Sequence, residues 1–367
     1  MSDSCRSGQS SCCCSGNSCS VDSSCCCAQT EPWVTGSVDT PAGSVPIIST
    51  TLTRTDMFGA WKVRWGIGRM NYTIDSGLYA VGEPKADSPV LVSANYKLTF
   101  DTLRKELSGL DCWLLILDTK GVNVWCAAGK GTFGTDELVR QIEKTGLGAI
   151  VSHKRLILPQ LGASGIDGTQ VSRRTGFAVA FGPVRAGDIK QYLSSGNNAS
   201  EEMRTVNFTA WDRLKLTPIE IVTAARQAVP AFAALFLLNL FAARPFELNT
   251  FIIYLGSALM GTFATPLLLP YIPVKMFAFK GGILGLLWGF AASAFFGFYS
   301  RAALLALFGY ILISMSISAW YAMNFTGSST YTSPSGVMKE MKIALPFISG
   351  AAAVGGVLLV LFHIFGL

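Results

Sequence analysis

The chain has 367 residues, half of them apolar and 14% charged, and its mean hydropathy is positive, a length that allows two or three domains. Nearly all of the apolar excess lies beyond residue 220, so a soluble front half is joined to a membrane-embedded back half. The net charge of +6 is modest and the basic residues form no stripe, which argues against a nucleic-acid partner.

Residues 1–30 are rich in Ser, Gly and Cys and nearly free of aliphatic side chains, so they cannot bury enough surface to fold alone. Eight of the ten cysteines sit there, and Ser-Ser-Cys-Cys-Cys occurs twice, at 10–14 and 23–27. The segment lacks the apolar core of a signal peptide, so its thiols are expected in a reducing compartment. The spacing fits neither a zinc finger nor a ferredoxin run. Two readings stay open. Cys12, Cys13, Cys14, Cys25, Cys26 and Cys27 are soft ligands suited to mercury(II), or the tail is a low-complexity appendage without catalytic consequence.

Residues 31–55, rich in Pro, Gly, Ser and Thr, read as a linker that completes a disordered segment 1–55. An α/β unit is expected over 56–205. Trp61–Trp65 alternates like a strand, and Asp75-Ser76-Gly77 marks a turn before a strand at Leu78–Val81. Pro89–Ser93 reads as a buried strand and Thr99–Leu107 as a helix begun by Thr99 or Asp101. Cys112–Leu117 is a strongly apolar run, hence a buried strand, with Cys112 in its core. A polar periodic segment, Thr135–Lys144, reads as a helix with Thr135 as its N-cap. Ala149–Val151, Arg155–Leu158 and the strand Phe177–Phe181 follow, and a helix over Ala186–Ser194 closes the unit. Strands alternating with helices imply a three-layer, Rossmann-like α/β domain with a mainly parallel sheet.

Between the strand ending at Leu117 and the helix at Thr135 lies Gly121-Val122-Asn123-Val124-Trp125-Cys126-Ala127-Ala128-Gly129-Lys130. Cys126 thus falls beyond the carboxyl end of a strand, where open α/β sheets hold ligands. The letters Trp-Cys-Ala-Ala favour a short helical turn presenting the thiol, whose thiolate form ligates metals. The plainer reading is a buried cysteine acting as a small hydrophobe. Gly129–Gly134 spells G-x-G-x-x-G, but it follows a cysteine-bearing turn rather than a strand, and no acidic residue trails it at the distance a dinucleotide site needs. A phosphate loop fails as well, because Gly131 stands where Ser or Thr should follow Lys130.

Asn-Val-Trp-Cys-Ala-Ala-Gly-Lys resembles the cap-helix motif of the mercury-methylating corrinoid proteins, the HgcA family. Ser93-Ala94-Asn95-Tyr96-Lys97, Leu158-Pro159-Gln160-Leu161-Gly162-Ala163 and Phe181-Gly182-Pro183-Val184-Arg185-Ala186 look like segments which that family shares with the corrinoid iron–sulfur protein of the acetyl-CoA pathway. The likeness covers roughly residues 60–200. It implies a cobalamin-type corrinoid bound base-off against the cap helix, with Cys126 as the lower axial ligand of cobalt. Asn123, Val124, Trp125, Ala127, Ala128, Gly129 and Lys130 would line or support that lower face, and Trp125 reads equally as a core anchor. Asn95, Gly162, Ala163, Gly182 and Pro183 would border the corrinoid or its tail. Only His153 and His363 exist, and neither has the Asp-x-His-x-x-Gly context of histidine-ligated cobalamin carriers.

A polar junction over 206–220 leads to a transmembrane region, 221–367. Five apolar stretches follow, at 221–242, 250–270, 277–299, 302–322 and 343–366, each near the length of a span. Arg213 and Lys215, then Lys275 and Lys280, then Lys339 and Lys342 fall in alternate loops. By the positive-inside rule this puts the α/β domain in the cytoplasm of a bacterial or archaeal cell and the C-terminus outside its inner membrane. Few ionisable residues lie within the spans, mainly Arg226 and His363, so anchoring is expected rather than transport.

The resemblance implies a membrane-anchored methyltransferase that moves a methyl group from methylcobalt(III) to mercury(II), giving methylmercury. A two-cluster ferredoxin-like electron donor and a methyl-tetrahydrofolate-linked methyl donor would be its partners. The alternative is a corrinoid methyl carrier for one-carbon metabolism of the acetyl-CoA pathway type; the family resemblance holds that those proteins lack a cysteine at this place.

Overall fold

The computed structural model describes residues 31–329, 331 and 334–365. Cys12, Cys13, Cys14, Cys25, Cys26 and Cys27 lie outside them. A hairpin of β1 (Val34–Thr40) and β2 (Gly43–Ile48) opens the described chain and turns at Gly43, φ +117°. This corrects the reading of 31–55 as a linker. Its Ser, Thr and Gly residues form the wet side of an edge hairpin, while Trp33, Val45 and Ile48 are buried beneath it.

Helix α1 (Arg54–Arg64) replaces the strand expected over Trp61–Trp65. Five alternating residues were too few to distinguish the two periods; the start signal upstream is what decides. The Thr53 hydroxyl accepts the Asp56 N–H at 3.2 Å and the Asp56 carboxylate accepts the Thr53 N–H at 3.0 Å, a capping box. The remaining elements are β3 (Gly77–Val81), β4 (Val90–Ala94), α2 (Lys97–Glu106), β5 (Cys112–Leu117), α3 (Val124–Lys130), α4 (Thr135–Lys144), α5 (Leu147–Ile150), β6 (Arg155–Leu158), α6 (Gly168–Thr175), β7 (Ala178–Phe181) and α7 (Ile189–Ser194). Two helix starts differ from expectation. Tyr96, not Thr99 or Asp101, is the residue before α2, and Gly134 precedes α4. The Thr135 hydroxyl instead accepts the Asp167 N–H at 2.9 Å.

The seven strands form one sheet in the order β1-β2-β3-β5-β4-β6-β7. β5, β4, β6 and β7 run parallel, while β3 is antiparallel to β5, so the sheet is mixed and its parallel half carries the site. Every residue of β4 and β5 is buried, as a strand covered on both faces requires. Alternation then sorts their side chains. Trp113, Leu115 and Leu117 pack with Val90 and Val92 beneath α3 and α4, against Ala127, Phe133, Leu138 and Ile142. Cys112, Leu114 and Ile116 face the opposite layer, against Phe100, Leu103 and Leu107 of the α2 region and Tyr192 of α7. The result is the three-layer, Rossmann-like domain the pattern predicts.

Beyond α8 (Glu201–Arg204) and α9 (Ala210–Leu214) come α10 (Thr217–Leu238), α11 (Leu248–Leu259), α12 (Thr265–Leu268), α13 (Phe277–Phe295), α14 (Leu304–Asn324) and α15 (Pro334–His363). Five helical stretches, Ala210–Phe241, Leu248–Leu268, Phe277–Phe295, Leu304–Ser328 and Ser335–His363, are long and apolar enough to cross a membrane. Lys339 and Lys342 lie inside α15 rather than in a loop, and Lys280 lies inside α13, where its ammonium donates to the Leu269 carbonyl. The sequence reading missed how α13 and α14 touch. Gly281, Gly285 and Gly289 recur every four residues, and a methyl group on any of them would overlap Ser314 or Ser318 of α14. Small residues let the two backbones approach where lipid supplies no hydrophobic drive.

Candidate functional site

The chain leaves β4 through α2 to β5 on one side, then crosses back through α3 and α4 to β6 on the other. The strand order therefore reverses between β5 and β6, around β4, and the crevice beyond the carboxyl ends at such a reversal is where α/β sheets take ligands. Asn95 follows β4, Cys126 follows β5, Gly162 and Ala163 follow β6, and Gly182 and Pro183 follow β7. All the site residues picked from the soluble domain thus lie on one rim of the sheet.

A cavity of about 480 Å³ opens at that rim. Val92 and Ser93 of β4, Leu103 of α2, Leu158 and Pro159 after β6, and Pro183 after β7 form its mostly apolar wall. Asn123, Val124 and Trp125 bring the start of α3 to it, and Lys215 and Leu216 bring the junction to the first apolar helix. The volume falls within the range of small-molecule sites.

Helix α3 is positioned by two asparagines. Asn123 is its N-cap, and its side-chain oxygen accepts the Cys126 backbone N–H at 2.9 Å. Asn95, buried at the end of β4, holds the loop before it. Its side-chain oxygen accepts the Thr119 N–H at 3.0 Å, the Thr119 hydroxyl at 2.9 Å and the Gly121 N–H at 3.1 Å, while its amide donates to Asp118 at 3.1 Å. That loop contains Lys120 at φ +57° and Gly121 at φ +69°, two successive left-handed residues. Gly121 also has Thr73 against it so closely that a Cβ would collide. Asn95 is therefore a positioning residue whose hydrogen-bonding capacity is used inside the protein, rather than a wall of the cavity.

The motif itself divides by helical face. Val124, Ala127 and Ala128 are buried in the core, Cys126 is half-buried, and Trp125, Gly129 and Lys130 are exposed. Ala127 and Ala128 thus support α3 from beneath, the second of the two roles the sequence reading allowed them. Trp125 is 37% exposed at the cavity edge, so of its two readings the core anchor is ruled out. A Cβ on Gly129 would meet nothing within 4 Å, so the surface about one turn beyond Cys126 is open. The 3-10 turn Gln160–Gly165 packs on α3, and here Gly162 is a packing residue: a Cβ on it would strike the Phe133 ring. Ala163 is half-buried in the same turn. Gly182 likewise sits tightly over Ile157, leaving its neighbour Pro183 to line the cavity.

The other described cysteine, Cys112, is fully buried in β5, and burial pushes its thiol up to about 12. His153 bridges the Ser88 carbonyl at 2.9 Å and the Arg155 N–H at 3.2 Å, a structural role at the strand edge. Arg64 and Arg69, which the sequence reading passed over, also line the cavity. Each is an ordinary surface letter in its own segment, and only the fold of α1 over the rim brings them there.

Fold and site together define a Rossmann-like α/β domain with a cavity at its switch point, joined to five apolar helices of membrane-spanning length. Residues 68–193, which carry most of the cavity wall, match the family model described as CO dehydrogenase/acetyl-CoA synthase delta subunit. The chain is 36% identical over 129 residues to the acetyl-CoA decarbonylase/synthase complex subunit gamma of Methanosarcina acetivorans, covering 34% of this chain and 27% of that protein. It is 34% identical over 122 residues to the subunit gamma of Archaeoglobus fulgidus, covering 33% and 26%, and 31% identical over 145 residues to that of Methanocaldococcus jannaschii, covering 39% and 29%. The chain thus spans little more than a quarter of the length of the curated relatives it matches.

Proposed function

We propose that this chain binds a corrinoid at the switch-point cavity and serves in methyl transfer, with Cys126 as the lower ligand of cobalt. The observation that carries the reading is a half-buried thiol, Cys126, that directly follows Asn123, Val124 and Trp125, the residues by which α3 lines the cavity, inside the segment that matches the carbon monoxide dehydrogenase/acetyl-CoA synthase family model. The residues present fit such a group. The cavity wall is mostly apolar, the surface of α3 at Gly129 is open, and Trp125 offers an aromatic ring at the cavity edge.

When bound, the corrinoid would supply a cobalt-held methyl group for transfer. The chain's own contribution is positional and electronic. Asn123 and Asn95 fix the turn that carries Cys126, and Ala127 and Ala128 seat α3 on the sheet. Cys126 would be the residue that holds cobalt, and its sulfur, as an electron-rich donor, would favour release of a bound group to an electrophile. Pro159, Leu161 and Pro183 give that part of the wall its apolar character.

Two acceptors fit this chemistry. Mercury(II), yielding methylmercury, is favoured by the cysteine within Asn123–Lys130, the feature in which the motif resembles the mercury-methylating corrinoid proteins. A carbon acceptor in one-carbon metabolism is favoured by the relatives, which are named as subunits of the acetyl-CoA decarbonylase/synthase complex. In either case a ferredoxin-like electron donor and a methyl-tetrahydrofolate-linked donor are the proposed partners. The five helices are the proposed anchor, with the α/β domain on the cytoplasmic side.

The test is the visible absorption spectrum of the full chain in detergent, loaded with cobalamin, for the native protein and Cys126→Ala. A base-off spectrum that changes with the substitution supports cobalt–thiolate ligation. No bound corrinoid, or identical spectra, would sink it. Supplying the methylated protein with mercury(II) or with a carbon acceptor then separates the two readings by product.

A further inference from the structure

Two guanidinium groups in the cavity wall lack a counterion. Arg64 ends α1 and Arg69 opens the 3-10 turn Arg69–Asn71; both line the cavity. Among the described residues neither makes a hydrogen bond or an ion pair. Arg69 lies over the Tyr96 ring, 6.0 Å from its centre. The field of Glu220 reaches Arg69, but that carboxylate accepts the Ser328 hydroxyl at 3.1 Å and forms no ion pair with Arg69. Lys215 adds a third cation to the wall; its nearest acid, Asp212, stands 3.9 Å away, and no acidic residue lines the cavity.

Tyr96 lies within the field of both arginines. It is 4% exposed, lines the cavity, and its hydroxyl is buried without a partner. Burial raises its phenol above the usual value, against the pull of Arg69 and Arg64, so it remains a proton donor. An orphaned buried hydroxyl is uncommon enough to need an explanation, and so is a half-buried unpaired guanidinium. A single occupant with several acceptor oxygens and a negative charge satisfies all of them. Phosphate oxygens match the forked donors of arginine in this way.

We propose that Arg64, Arg69 and Tyr96, assisted by Lys215, form a phosphate-binding subsite at one end of the cavity that holds the phosphodiester in the nucleotide tail of the corrinoid. The anion site stands on the geometry above, whereas the choice of that phosphodiester rests on the corrinoid reading. Since Lys215 belongs to the junction, the subsite would also tie cofactor binding to the docking of the α/β domain on the first apolar helix.

The experiment uses the full chain in a detergent free of phosphate. Modification of Arg64 and Arg69 by phenylglyoxal is followed by peptide mass spectrometry with inorganic phosphate, chloride at matched ionic strength, phosphatidylglycerol vesicles, cobalamin, or cobinamide, which has the same ring without the phosphodiester. Phosphate should slow modification of both arginines several-fold where chloride does not, and cobalamin should protect where cobinamide fails. Arg64→Gln and Arg69→Gln should each weaken cobalamin binding about tenfold and leave cobinamide binding unchanged, with Arg64→Lys partly restoring it. Equal effects of phosphate and chloride overturn the subsite. Protection by the vesicles with equal affinity for the two corrinoids overturns its assignment to the cofactor tail and gives it to a lipid headgroup. Phosphate protection with no binding of either corrinoid keeps the subsite and removes the corrinoid reading instead.

Discussion

The side-chain oxygen of Asn123 accepts the backbone N–H of Cys126 at 2.9 Å, so the residue that starts α3 also fixes the turn bearing the thiol. In a helix only seven residues long, Val124–Lys130, one cap is a large share of local stability. Asn123→Ala should cost about 1 kcal/mol of helix stability. Read by hydrogen exchange, the amides of Cys126 to Gly129 should exchange about fivefold faster while those of β5 stay unchanged. Unaltered exchange in α3 would show that packing against Gln160–Gly165 alone holds the helix.

Asn95→Ala acts one step further back. It leaves the N–H groups of Thr119 and Gly121 without their acceptor in a loop that already holds Lys120 and Gly121 in left-handed geometry. The expected cost is ~2–4 kcal/mol, from the unsatisfied buried donors. In a cobalamin titration the variant should bind more weakly while its circular dichroism stays native. Asn95→Asp keeps the acceptor but loses the donor to Asp118 and sets two carboxylates together, so it should fall between alanine and the native protein.

The sequence revealed the rim but not its division of labour. Apolar runs such as Cys112–Leu117 and the helical period of Thr135–Lys144 are strong local signals, and they located most strands and the helices after them. The hairpin over 34–48 was hidden because an edge strand with one wet face carries the letters of a loop. At the site, residue type marked the position and not the partner. Asn95 and Gly162 look like ligand contacts by neighbourhood, yet their partners are Thr119, Gly121 and Phe133, which only the folded chain brings near. Arg64 and Arg69 show the reverse case, since no local pattern reports that α1 folds over the cavity.

Asp56 ties α1 to α2 and should make that contact acid-sensitive. Burial alone would raise its carboxyl, but hydrogen bonds from Lys97 and Thr53 outweigh this and hold it well below the usual carboxylate range. The fully buried Arg104 pairs with it at 2.7 Å. A carboxyl depressed in the folded state contributes stability that is full above its unfolded value, near 4, and is lost as pH falls toward the folded one. The thermal midpoint of the α/β domain should therefore drop below about pH 4. In Asp56→Asn that part of the acid dependence should vanish. At neutral pH this variant should lose about 1–3 kcal/mol, less than for most broken buried pairs, because Arg104 keeps Asp101 at 2.8 Å and the Ser49 carbonyl at 2.6 Å.

In the apolar half the contact most exposed to a test is that of α13 with α14. Gly285 abuts the Ser314 carbonyl and the Ser318 side chain, with no room for even a methyl group. Gly285→Leu should force the helices apart and make the full chain unfold at lower temperature in detergent. Gly282→Leu, one residue from Gly281 and with only ordinary contacts to Met315 and Ala319, should be tolerated much better. Equal losses in the two variants would contradict the packing described.

The two cysteines of the α/β domain should differ sharply in chemistry. Cys112 is fully buried in β5, and with its thiol pushed up to about 12 it holds only ~10⁻⁴ of its population as the reactive thiolate at pH 8. Cys126 is half-buried on α3 and reachable from solvent. With iodoacetamide at pH 8, read peptide by peptide so that the N-terminal cysteines are counted apart, Cys126 should be alkylated at least a hundredfold faster. Cys112 should react only once the domain is unfolded. Added cobalamin should then slow Cys126 and leave Cys112 as it was, because only the former lies where the corrinoid is proposed to sit. Slowing at neither residue, with cobalamin shown to be bound, would place the corrinoid away from α3 and remove Cys126 as its ligand.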